Sequence, residues 1–304
     1  MTKPPTLFTA SDCLSFDAHL APIQRDIYAD YLDLDADHAG FVHYNLDTYI
    51  HRRATEMIYH PKNCLDNQSQ VTVGMRAILI QWLTKVVHQH FRFHQDTLYL
   101  TVNILDRFLA STPVKIECFQ LLGVTALLVA GKHEEIYPPE VEELIRLCCG
   151  AYDRAQIIRL ERLVLERLGY TFMVPTTHYF LEQYSSSRLL TRRLAGCTKD
   201  DIRKTRAIGR YLAEQSLQDY DICQFLPSLV AICALEMADD LLQHVTRVKT
   251  AWIAGFNRDE IEKCLQHIRV MFSSLGDDPS DLMSICNAYG YQYKMKSLSP
   301  TSVL

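Results

Sequence analysis

A chain of 304 residues has room for about two domains, and its 48% hydrophobic and 22% charged content is ordinary for a folded protein. The formal net charge of -5 gives no broad basic footprint for nucleic acid, and the uncharged run of 14 residues from Cys118 to Gly131 falls short of the roughly 20 that cross a bilayer. Ten cysteines without a CxxC pair, and no basic-then-apolar leader at the start, point to reduced and mostly buried thiols in the cytosol or nucleus.

The first 40 residues read as an extension that contains neither KEN nor RxxLxxxxN. Beyond them the glycines are few and the apolar residues recur at three and four rather than at two, so the chain is predicted to be all-α. In MRAILIQWLTKVVHQHF, residues 75–91, Leu79, Leu83, Val86 and Val87 make one apolar stripe. Met75, Ile78 and Trp82 make a second beside it, so this helix needs two neighbours. DTLYLTVNILDRFLAS, 96–111, is the next helix, starting at Gln95 or Asp96 and stopping before Pro113. CFQLLGVTALLVAG is apolar on every side, as a central helix is, and Gly123, Ala126 and Ala130 let its neighbours approach. It runs into GKHEEIYPPEV, where a lysine, a histidine and two glutamates gather before two prolines. EVEELIRLCCG and DRAQIIRLERLVLERLG follow as amphipathic helices and complete one five-helix bundle.

Pro175 then interrupts the pattern, which loosely repeats after about 100 residues. TRAIGRYLAEQSL, LPSLVAICALEMADDLL and DEIEKCLQHIRVMFSSL form the second set, and its middle member again carries small residues in an apolar run: Ser228, Ala231, Ala234 and Ala238. The expected organisation is an extension (1–40), a first bundle with a preceding helix (41–172), a second bundle (173–290) and a tail (291–304) whose Ser299-Pro300 is a minimal proline-directed phosphorylation site.

Arg76 and Asp106 sit in apolar helices with little charged company. A lone buried charge is costly, so the two are expected to pair across helices; the alternative is an arginine at a helix start and an aspartate facing water. At the end of the uncharged run, Lys132 suits the helix C-terminal dipole, whereas Glu134 and Glu135 oppose it, which favours a partner over a merely solvated end. Glu161 stands in a later helix of the same bundle, and periodicity alone does not bring it to Lys132. In HQHFRFH, His90 and His94 share a helix face but His88 does not, and no third ligand stands at a useful spacing, so no metal is expected there. GxGxxG, GxxxxGK[ST], GxSxG and HExxH are all absent, so neither an enzyme site nor a cofactor is expected.

MRAILIQWL, LDRFL, GKHEEIYPPEV and LERLVLERLGYTF, in that order, resemble the cyclin box of the A and B type mitotic cyclins over roughly 40–175, with a looser second box to about 290. The resemblance implies two tandem cyclin-box five-helix bundles with an N-terminal helix. It also implies a regulatory, activating subunit of a cyclin-dependent serine/threonine kinase, in nucleus and cytoplasm, serving cell-cycle or differentiation control. By the same carry-over Lys132 and Glu161 would clamp the kinase's regulatory αC helix. His133, Glu135, Leu46, Tyr49, Leu165, Tyr170 and Phe172 would add contacts, and His133 stands where the family usually has Phe. Met75, Ile78 and Trp82, with Phe119 and Gln120, match the patch that docks Arg-x-Leu segments. Gln81 and Lys85 replace its usual acidic residues, so substrate docking would be weakened or redirected. A cyclin-like scaffold of the transcription-factor kind is the rival reading; the chain's negative charge speaks against nucleic acid as a partner, and no membrane partner is expected.

Overall fold

The computed structural model describes residues 42–194, 198–242 and 255–275. Among these it has ten α-helices and no strand, an all-α chain of two tandem bundles. A leading helix α1 (Val42–Tyr59) is followed by the first bundle: α2 (Val73–Lys85), α3 (Gln95–Ser111), α4 (Phe119–Glu134), α5 (Val141–Leu147) and α6 (Arg154–Arg167). Four helices of the second bundle are described: α7 (Thr177–Leu194), α8 (Lys199–Ser216), α9 (Pro227–Leu241) and α10 (Arg258–Ser274). The extension, the tail with Ser299-Pro300, and the rest of the expected second bundle lie outside the described residues.

Local chemistry sets most helix starts. Thr72 caps α2 by accepting from Met75 N, while Asp153, Thr198 and Asn257 each form a reciprocal capping box at α6, α8 and α10. Pro227 opens α9, where its missing N–H costs nothing. The helix expected over 75–91 is α-helical only to Lys85; Val86–Phe91 form a wider π turn, closed by Arg92 at φ 56°. α3 begins at Gln95, one of the two expected starts, and His94 caps it by accepting from Asp96 N.

The first bundle is built around α4, in which Phe119 and every residue from Leu121 to Gly131 are buried. Leu79, Leu83, Val86 and Val87, the stripe of α2, are all in this core. Two glycines mark the tightest approaches: a Cβ at Gly123 would stand 2.9 Å from Leu79 Cδ1, and one at Gly131 only 2.6 Å from Pro139 Cδ. The second bundle repeats the arrangement around α9, where Ser228, Ala231, Ala234 and Ala238 are fully buried.

Arg76 and Asp106 meet in the interior: Arg76 Nε and Nη2 donate to the two Asp106 carboxylate oxygens at 2.8 and 2.6 Å. Arg76 Nη1 also donates to the Leu217 carbonyl at 3.0 Å, beyond α8, so this pair fastens one bundle to the other. His88 Nε2 with Glu214 at 2.8 Å, and His60 Nε2 with the Gln224 carbonyl at 3.1 Å, cross the same boundary.

The leading helix α1 touches both bundles: the Tyr59 carbonyl accepts from Asn103 Nδ2 of α3 at 3.2 Å, and other polar contacts reach the second bundle. Arg53 donates to Ser228 Oγ at 2.9 Å, and the buried Glu56 accepts from Ser228 N at 3.2 Å and Oγ at 2.9 Å. Cys64, Cys148, Cys233 and Cys264 are buried free thiols, while Cys118 and Cys149 are exposed; Cys13, Cys197 and Cys286 lie outside the described residues. Among the described residues no helix is long and apolar enough to cross a membrane.

Candidate functional site

The charged end of α4 is positioned by the core behind it. Because Gly131 lies against the Pro139 ring, the loop Glu135–Glu140 folds back on α4, and the last helical turn stands at the rim of the bundle. There Lys132 Nζ donates to Glu161 Oε1 of α6 at 2.5 Å. The two ends differ: the Lys132 side chain is 47% exposed and that of Glu161 only 11%. An ion pair of this kind contributes at most about 1 kcal/mol to folding, so stability is a poor reason for its presence.

Large apolar side chains face solvent around the pair. Ile136 and Tyr137 are 89% and 85% exposed, immediately after the charged turn. Tyr170 and Met173, in the connector after α6, are exposed, as are Met57 and Ile58 near the end of α1. Three contacts connect these stretches. The His133 ring stands edge-on to Phe172 at 6.3 Å, linking the end of α4 to the connector. Arg107 donates to the Thr171 carbonyl at 2.9 Å and lies 5.3 Å from the Tyr59 ring, linking the connector to α1. Exposed apolar side chains flanking an ion pair in this way have the character of a docking face.

The residues expected there divide. His133, exposed, has Nδ1 2.9 Å from Glu134 Oε1 and lies on the surface with Lys132 and Tyr170. Leu165 and Phe172 are half-buried. Glu135 Oε1 accepts from His94 N at 2.6 Å and Thr97 Oγ1 at 2.5 Å, which ties it to the start of α3. The acid that opposes the dipole of α4 thus supplies the negative charge that the α3 N-terminus favours. Tyr49 is half-buried on α1. Its hydroxyl lies 3.4 Å from that of Tyr184, and its ring packs edge-on against Phe180, both on α7. Leu46 is on α1, but its side chain is outside those described. Ile136, Tyr137, Met57, Ile58 and Met173 were missed, because an isolated apolar residue carries no periodic signal and only its exposure singles it out.

The second expected surface lies along α2. Ile78 is 69% exposed, Met75 and Trp82 are half-buried against the core, and Gln81 and Lys85 are exposed. Phe119, at the start of α4, is buried, and Gln120 next to it is half-buried.

Residues 47–173 match the family model described as the cyclin N-terminal domain, and residues 175–302 match that of the cyclin C-terminal domain. Cyclin-O of Homo sapiens is 39% identical over 231 residues, 76% of this chain and 65% of that protein. Cyclin-O protein B of Xenopus laevis is 39% identical over 77% of this chain and 64% of its own length, and cyclin-A1 of Homo sapiens is 34% identical over 82% and 52%. The chain therefore spans less than two thirds of the length of these curated relatives. A solved viral cyclin from herpesvirus saimiri shares the fold with a TM-score of 0.60 at 18% identity, over 75% of this chain and 98% of that one. With both of its bundles matched in tandem, the chain belongs to the cyclin family.

Proposed function

We propose that this chain is the regulatory, activating subunit of a cyclin-dependent serine/threonine kinase, and that the α4–α6 rim receives the kinase's αC helix. The observation that carries the reading is the Lys132–Glu161 pair set among exposed Ile136, Tyr137, Tyr170 and Met173. Such a surface holds a partner helix by apolar burial while the two charges fix its register.

The mechanism is a shift of population and needs no reacting group on this chain. A kinase transfers phosphate only when its catalytic lysine is paired with a glutamate of αC, and a subunit that binds the αC-in state favours that state. Moving the equilibrium from about 1:99 to 99:1 takes roughly 5.5 kcal/mol of differential binding. The α2 surface then serves as a second, weaker dock for substrates or inhibitors. With Gln81 and Lys85 at its edge it repels basic flanks, so Lys85→Glu should tighten an Arg-x-Leu peptide on titration, and an unchanged affinity would remove this part of the reading. Work in both nucleus and cytoplasm, in cell-cycle or differentiation control, accompanies the reading.

Pull-down from cell extract with the wild type and with the Lys132→Ala, Glu161→Ala variant, followed by a histone kinase assay, tests it. Activity is expected with the wild type alone. Equal activity in both, or none in either, would overturn the proposal, and a salt-sensitive DNA shift in its place would favour the scaffold reading.

A further inference from the structure

His94 caps α3, Asp96 stands in its first turn, and His178 is the second residue of α7 in the other bundle. The three offer one ligand atom each, all within 4.8 Å of one another. Asp96 Oδ2 is 2.7 Å from His94 Nδ1, and Asp96 Oδ1 is 3.9 Å from His178 Nε2. The longer distance is not a hydrogen bond. His178 is only 5% exposed, and its Nδ1 is buried without a hydrogen-bond partner. An imidazole this deep, with one nitrogen unpartnered and the other aimed at a carboxylate it does not reach, costs the fold free energy unless something lies between.

We propose that His94, Asp96 and His178 hold a divalent transition-metal ion of the zinc class at the junction of the two bundles. Two imidazoles and a carboxylate suit such an ion, whereas calcium and magnesium select all-oxygen sets. The His94 and Asp96 side chains are each 34% exposed, which leaves the ion an entry path and a fourth position for water. Its effect would be a clip between α3 and α7. His88 and His90 take no part, being bonded to Glu214 and Glu143. The ligand set was hidden in the sequence because His178 follows His94 by 84 positions.

The test is calorimetric titration of the chelator-stripped full chain with zinc chloride, with cobalt chloride absorption reporting the coordination. The wild type should take up one equivalent and unfold at a higher temperature when loaded. His94→Asn keeps a side-chain cap for α3, and Asp96→Asn keeps the shape of the carboxylate. Each should weaken zinc binding by more than the roughly 10- to 100-fold that loss of an outer-shell partner costs. His90→Ala should leave binding unchanged. No uptake by the wild type, wild-type affinity in both asparagine variants, or loss of binding in His90→Ala would each overturn the proposal.

Discussion

Two ion pairs of the first bundle, Arg76–Asp106 and Lys132–Glu161, have similar chemistry and opposite circumstance. Arg76 and Asp106 are buried, doubly bonded to each other and tied by a third bond to Leu217 across the bundle boundary. Lys132 and Glu161 make one bond at a rim, with the lysine half in water. Burial is what separates them. A buried charge stripped of its partner has nowhere to turn, so the first pair is bound up with the fold, whereas water replaces much of what the second supplies. A pair that the fold hardly needs, ringed by exposed apolar side chains, is available for a partner.

The largest expected effect comes from the interior. Arg76→Ala leaves Asp106 buried and uncompensated, and should cost about 3–5 kcal/mol in urea unfolding. A loss below about 1 kcal/mol would erase the contrast between the pairs.

Gly131→Ala joins core to rim, because the added methyl meets a proline ring that has little freedom to swing away. It should cost about 1–3 kcal/mol and displace the Lys132 turn. Gly74→Ala, with nothing within 4 Å of its new Cβ, should be neutral or stabilising by up to about 1 kcal/mol.

Acid should act on the bundle boundary next. Burial lowers the pKa of His60, facing Lys62, Asp106 and the Gln224 carbonyl, and of His178, facing Asp96, Glu182, Arg210 and His94. The unfolded chain therefore binds more protons than the folded one below about pH 6.5, and stability falls as pH drops through that value. In the metal-free protein the urea midpoint should be lower at about pH 5.5 than at about pH 7.5, and less so in His178→Asn; equal slopes would deny that histidine its part. The smallest effect on stability is expected at the rim, where Lys132→Ala should cost at most about 1 kcal/mol.

The two bundles and their central helices were legible because core packing writes a period into the chain: Leu79, Leu83, Val86 and Val87 on α2, the uncharged run of α4, the small residues of α9. The Arg76–Asp106 pair was legible for the same reason, as charges that break an apolar pattern. The third bond of Arg76 was not, since the Leu217 carbonyl leaves no mark on composition. The internal contacts of Glu135 and Tyr49 were not legible because residue type does not say which way a side chain turns: one reaches back to cap α3, and the other packs on α7 more than 130 positions away. Periodicity likewise did not bring Glu161 to Lys132; only the placement of α6 beside α4 does.

The most direct test of the rim pair's role is the charge-swapped variant Lys132→Glu, Glu161→Lys, measured by the histone kinase activity it recovers from cell extract beside the wild type. The swap keeps an internal pair and should leave the thermal midpoint within about 2–4 °C of the wild type. The partner, however, would meet each charge in the wrong place, and recovered activity should fall at least about tenfold. Activity at the wild-type level in the folded, swapped protein would contradict the account, reducing Lys132 and Glu161 to a surface brace.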